Sequence, residues 1–123
     1  MILVVDDDQQ VRSTIVRGLT ALGYAVREAA GGADALALIG EQKPQLIVLD
    51  YMMPGMNGLE LCEQIRLHPT AGKMPVLMLS AVDSEEFIRL SVIAGANGHI
   101  PKSEMHRRLL HEVNQYLPAI QSK

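Results

Sequence analysis

The chain has 123 residues, of which 48% are hydrophobic and 20% charged, enough for one domain with a real core and too few for a second module. A formal net charge of -3 excludes the clustered basic footprint of a nucleic-acid binder, and with no Trp, three Tyr and one Phe there is no aromatic platform for stacking bases. No run approaches the roughly 20 apolar residues that span a bilayer, the opening Ile2-Leu3-Val4-Val5 lacks the features of a signal peptide, and a single Cys62 rules out an internal disulfide. These features predict one domain over residues 1–123, cytoplasmic, with no membrane segment and no direct nucleic-acid contact.

Ile2–Val5 is apolar at every position, the pattern of a strand covered on both faces. Val11, Ile15, Val16, Leu19 and Leu22 follow at helical spacing, with Arg12, Ser13, Arg17 and Thr20 on the opposite side, so a first helix is expected, closed by Gly23. Residues 24–29 read as a second strand and 33–39 as a short helix ended by Gly40 and the approach to Pro44. Leu46–Leu49 is a second fully apolar run, and the turn-rich Tyr51-Met52-Met53-Pro54-Gly55-Met56-Asn57-Gly58 leads into a third helix with Leu59, Cys62 and Ile65 inward.

A fourth strand, 76–79, follows Pro75, and a fourth helix covers 84–94. Residues 98–101 form a fifth strand, and a fifth helix runs from a Ser103 cap with Leu109, Leu110, Val113 and Leu117 as its stripe. Strict β and α alternation with short connections predicts an α/β, three-layer, doubly wound (βα)5 sandwich on a parallel five-stranded sheet. In the fourth helix Phe87, Ile88, Leu90, Val92, Ile93 and Ala94 cover most of the circumference, more than one sheet face can bury. The sharper of two readings is a partner face, the blander one burial by neighbouring helices. The segment 118–123 reads as a frayed tail.

Polar residues interrupt this pattern at strand ends: Asp6, Asp7 and Asp8 after the first strand, Asp50 after the third, Ser80 after the fourth, Lys102 after the fifth. In open α/β sheets ligands bind at that edge, so the four segments converge on one crevice. Clustered carboxylates repel unless a cation joins them. Magnesium, or manganese in its place, suits Asp7 and Asp50, with Asp6 as a direct or water-mediated ligand, since calcium takes a larger oxygen cage. A carboxylate can also be phosphorylated if the charge of the incoming group is offset, which the metal and Lys102 would do, while Ser80 can donate to a phosphoryl oxygen and register its presence.

Each singleton has a bland reading. Asp8 is expected to cap the first helix, Asp6 and Asp7 alone would be a solvated turn, Ser80 alone a strand-end hydroxyl and Lys102 alone a surface lysine. Their joint occurrence favours a site. His68, His106 and His111 show no metal-ligand spacing with Cys62 and are expected at the surface. Met52, Met53 and Met56 beside the crevice would either shield it or pack.

Val4-Val5-Asp6-Asp7-Asp8, Leu49-Asp50-Tyr51-Met52-Met53-Pro54-Gly55-Met56-Asn57-Gly58, Met78-Leu79-Ser80-Ala81 and Gly95-Ala96-Asn97-Gly98-His99-Ile100-Pro101-Lys102 together resemble a response-regulator receiver domain over essentially the whole chain. The resemblance implies a flavodoxin-like sheet of order 2-1-3-4-5 and a two-component phosphorelay. In it Asp50 would be the phosphoacceptor, Asp6, Asp7, Asp50 and the Met52 backbone carbonyl the metal ligands, Ser80 the switch hydroxyl, His99 the switch ring and Lys102 the phosphoryl contact. It implies a histidine kinase or phosphotransfer protein as donor, and an output domain or protein partner. A homodimer through the fourth helix, fifth strand and fifth helix also fits it. The domain would signal rather than turn over substrate, promoting its own phosphorylation and slow dephosphorylation.

Two departures from the family pattern stand out. Ser103 follows Lys102 where many receivers have proline after a cis bond, a geometry costing roughly 2.5–4 kcal/mol before a non-proline residue. His99 can become charged, so its inward state is expected to be harder to reach at acidic pH. Apolar Met52 and Val82 flank the water path and predict a long-lived acyl phosphate. Among rival readings, a flavin mononucleotide binder needs phosphate-cradling Ser, Thr and Gly where Asp6-Asp7-Asp8 stands. An aspartyl hydrolase needs an acid at Met52, and a scaffold without chemistry has no use for Asp50, Ser80 and Lys102 together.

Overall fold

A computed structural model describes residues 1–69, 72–81 and 84–117. Five strands, β1 (Ile2–Val5), β2 (Val26–Ala29), β3 (Leu46–Asp50), β4 (Val76–Ser80) and β5 (Gly98–Pro101), alternate with five helices, α1 (Gln9–Ala21), α2 (Gly32–Glu41), α3 (Gly58–Leu67), α4 (Glu85–Ala94) and α5 (Met105–Tyr116). All strand pairs are parallel and their order is β2-β1-β3-β4-β5, as the resemblance implied. Because side chains alternate across a strand, Leu3, Val5, Ile47, Leu49, Val76 and Met78 face α2, α3 and α4 through Ala35, Ile39, Leu61, Cys62, Ile65, Phe87 and Ala94. Ile2, Val4, Leu46, Val48, Leu77 and Leu79 face α1 and α5 through Ile15, Leu19, Leu109 and Val113. The fully apolar strand runs thus reflect two cores, one on each face. No helix among the described residues is long and apolar enough to cross a membrane.

The helix starts follow local chemistry. The Asp8 carboxylate accepts from the Gln10 and Val11 amides at 2.9 and 3.2 Å, capping α1. Asn57 and Glu60 form a reciprocal capping box on α3, and the Ser84 hydroxyl accepts from the Phe87 amide at 3.1 Å on α4. Arg66 of α3 closes the other end of α4: its guanidinium donates to the carbonyls of Gly95, Met74 and Gly72 and to the Asn97 side chain.

Several boundaries differ from the sequence expectation. Tyr24 and Ala25 lie outside β2, because the Tyr24 amide bonds the Leu19 carbonyl and closes the α1 turn. Helix α2 continues through Gly40 to Glu41. In α3 the inward leucine is Leu61, with Leu59 only partly buried. Ser103 does not cap α5: a 3-10 turn over Lys102–Glu104 comes first, its Lys102 carbonyl accepting from the Met105 amide, and the α-helical ladder starts only after it. No peptide bond among the described residues is cis, so Lys102–Ser103 is trans. Segment 118–123 lies outside the described residues.

On α4, Phe87, Ser91 and Ala94 face the core. Ile88, Leu90, Val92 and Ile93 are exposed, Val92 at 65% and Ile93 at 72%, so neighbouring helices do not cover the apolar surplus.

Candidate functional site

The parallel register brings four strand ends to one rim. Val5 pairs with Leu49, Asp50 with Leu79 and Ser80 with Pro101, so Asp6, Asp50, Ser80 and Lys102 stand at the C-terminal ends of neighbouring strands β1, β3, β4 and β5. Asp6, Asp50 and Ser80 are buried, the few polar residues inside an otherwise apolar layer, while Asp7 is exposed. Carboxylate oxygens of Asp6, Asp7 and Asp50 lie within 4.8 Å of one another. The Lys102 ammonium sits 3.0 Å from Oδ1 of Asp50 and 3.4 Å from Oδ2 of Asp6. Both oxygens are buried and, apart from this ion pairing, have no hydrogen-bond partner.

Burial is the main influence on both acids. It pushes the Asp50 carboxyl above the ordinary range against the pull of Lys102, and it raises Asp6 despite the amide of Asp8, which donates to Oδ1 at 2.8 Å, and despite Lys102. Burial alone would pull the Lys102 ammonium down, but its contacts with Asp50 and Asp6 together outweigh that and raise it. Three carboxylates against one ammonium leave two excess negative charges when all are ionised. Two buried carboxylate oxygens without hydrogen bonds, beside a third acid open to solvent, are a donor set that fits a hard divalent cation with retained waters.

Residue 12 escaped the sequence reading, which put it on the solvent side of the first helix. The Arg12 side chain is only 15% exposed, pairing through Nε with Glu28 at 2.9 Å and donating from Nη1 to the Asp6 carbonyl at 2.6 Å. It ties the acidic turn to α1 and β2. The only hint in the sequence is an arginine on the first turns of a helix that follows clustered acids.

His99 stands on β5 at the edge of a surface groove of about 440 Å³ between α4 and α5, lined also by Ile88, Ser91, Val92, Glu104 and Arg108. Its Nε2 is buried and lacks a hydrogen-bond partner. Met53 packs into the core and Met56 against it, whereas Met52 is 59% exposed beside the rim. Val82, the other residue expected to flank the water path, lies outside the described residues. Cys62 is buried, and burial raises its thiol pKa. His106 and His111 are exposed, His68 partly so, and none joins a metal-binding group among the described residues.

A family model described as the response regulator receiver domain matches residues 2–114. The chain is a response regulator receiver domain. This receiver is 41% identical over 116 residues to the response regulator MprA of Mycobacterium sp. strain KMS, an alignment covering 94% of the chain and 50% of that protein. It is 40% identical, with the same coverage, to MprA of Mycobacterium avium. The receiver therefore spans about half the length of the curated relatives it matches. Among solved structures it is similar to the chemotaxis protein CheY4 of Vibrio cholerae, with TM-score 0.89, 30% identity and coverage of 94% of this chain and 96% of that one. It is also similar to a response regulator of Chloroflexus aurantiacus, with TM-score 0.88, 34% identity and coverage of 96% and 97%. The BeF3-activated receiver domain of Klebsiella pneumoniae RstA gives 0.86, 30%, and 96% and 98%. Two-component signalling is thus the setting of this domain.

Proposed function

We propose that Asp50 accepts a phosphoryl group from the phosphohistidine of a histidine kinase or phosphotransfer protein. An Asp50 carboxylate oxygen forms the new P–O bond as the P–N bond of the donor breaks, giving an acyl phosphate. Asp6, Asp7, Asp50 and the Met52 backbone carbonyl are the residues that would hold magnesium, or manganese. When bound, the ion supplies charge compensation for the transferring phosphoryl oxygens.

What carries this reading is Lys102, whose ammonium lies 3.0 Å from Asp50 in a rim holding two further carboxylates. Lys102 offsets charge on the carboxylate and then on the phosphoryl oxygens. Ser80, at the end of the adjoining strand, offers a hydroxyl to one of those oxygens. Arg12 holds the Asp6 backbone and keeps the acidic turn in register.

The readout we assign to the face of α4, β5 and α5, where exposed Ile88 and Val92 border the groove beside His99. Burial of this face against an output partner or a second copy of the domain would follow phosphorylation. Exposed, apolar Met52 cannot orient water, which makes for a slow-decaying acyl phosphate; Met52→Asn is expected to shorten its lifetime, read by the decay of the added mass.

Incubation with acetyl phosphate and magnesium, read by intact mass, tests the central claim. One added phosphoryl group, dependent on the divalent ion and lost in Asp50→Asn, is the expected result. Addition at an unchanged level in Asp50→Asn would refute it.

A further inference from the structure

Three rings form a continuous line from the proposed phosphoacceptor to the proposed readout groove. Tyr51 follows Asp50 directly, its amide bonded to the Leu79 carbonyl at 2.9 Å and its own carbonyl accepting from Gly58 at 2.9 Å. Its ring lies 4.6 Å, centroid to centroid, from that of Phe87 on the first turn of α4, tilted by 51°. The Phe87 ring in turn meets the His99 imidazole edge to face at 5.0 Å and 61°. Both distances and inclinations are those of favourable aromatic pairs.

The two ends of this line differ in how firmly they are held. Tyr51 is fastened by backbone hydrogen bonds to β4 and to the start of α3. The imidazole has no such hold at Nε2, which is buried without a partner, so ring packing against Phe87 is a main restraint on its orientation. Phe87 is 4% exposed and sits between them, on a turn whose N-cap, Ser84, belongs to the connection leaving Ser80 and β4. Phe87 is thus the one ring that contacts both Tyr51, next to Asp50, and His99 among the described residues.

We infer that Phe87 is a positioning residue that couples the Asp50 site, through the Tyr51 ring, to the orientation of His99 and so to the groove between α4 and α5. The inference rests on the phosphoacceptor reading of Asp50 and adds the side chain that transmits its state. The ring contacts of Phe87 are with Tyr51 and His99 and not with the acids or the lysine of the rim, so its loss separates transmission from chemistry.

The test uses the whole chain. Phosphoryl uptake from acetyl phosphate is followed by intact mass, and the His99 imidazole signal, assigned with His99→Gln, is followed by carbon–proton NMR before and after beryllofluoride and magnesium. In the parent, one phosphoryl group is taken up and the His99 signal moves. Phe87→Leu keeps an apolar side chain of similar burial; its uptake is expected to match the parent while the His99 displacement falls below half, and Phe87→Tyr, which restores a ring, is expected to recover it. A His99 displacement in Phe87→Leu equal to the parent's overturns the inference. So does uptake in the parent with a silent His99, which leaves the reading of Asp50 standing. Absence of uptake in the parent overturns that reading and the relay with it. Should Phe87→Leu fail to fold, Tyr51→Leu interrupts the line from its other end, with the same two outcomes deciding.

Discussion

Lys102 and the proposed divalent ion would compete for the same carboxylate oxygens. The ammonium neutralises part of a carboxylate cluster that a divalent ion would also neutralise, so Lys102→Met is expected to bind magnesium about fivefold more tightly or better, the equivalent of about 1 kcal/mol for a nearby unit charge at water-like screening. The same variant is expected to take up phosphate from acetyl phosphate more slowly, because no cation then meets the incoming oxygens. Titration calorimetry and timed intact mass check the two halves. The acids give a second prediction. Asp50 and Asp6 bind protons more tightly folded than unfolded, so ionisation subtracts stability, and the penalty is relieved as pH falls through their raised values. In divalent-free buffer Asp50→Asn is expected to melt above the parent at neutral pH. That advantage should shrink as pH falls toward about 4, the ordinary carboxylate range, and also when magnesium is added to the parent. A thermal-melt series over pH, with and without magnesium, measures it.

Among the elements, α3 shows how closely the site depends on packing beneath it. A Cβ at Gly58 would lie 2.5 Å from the Asp50 carbonyl oxygen and 2.8 Å from the Tyr51 Cα, both backbone atoms that cannot step aside. Gly58→Ala is therefore expected to cost about 1–3 kcal/mol and to slow phosphorylation by shifting the end of β3; chemical denaturation and timed mass uptake check each part. The elements differ in how legible they were in the sequence. β1, β3 and β4 announced themselves as unbroken apolar runs, and Asp6, Asp50 and Ser80 were visible because each breaks such a run at its end. The role of Arg12 was not, because its decisive bond is to a backbone carbonyl, which leaves no side-chain signature. Tyr24 read as the start of the second strand, but its amide closes the α1 turn, and Ser103 has a cap's chemistry but lies inside the 3-10 turn that precedes α5. The contact of Tyr51, Phe87 and His99 joins three separate segments, and no local pattern encodes it.

At the level of the whole molecule, the proposed chemistry and the proposed readout occupy different surfaces joined by α4 and β5. Val92 is exposed and lines the groove, to which none of Asp6, Asp7, Asp50 and Lys102 contributes. Val92→Glu is expected to leave phosphoryl uptake and melting temperature unchanged. It should prevent any dimer that the parent forms with beryllofluoride and magnesium, as read by analytical ultracentrifugation. Equal dimerisation of variant and parent would move the contact to another face.

The sheet order has one more consequence. β5 is an edge strand, paired only with β4, and it is encoded last among the strands, yet Lys102 and His99 both depend on its docking. A nascent or partly unfolded chain would carry the acids on the inner strands but neither the lysine that balances them nor the imidazole proposed to report on them. Competence to receive the signal and competence to relay it would then arrive together with the final strand, so that a half-folded copy neither drains the donor nor engages a partner.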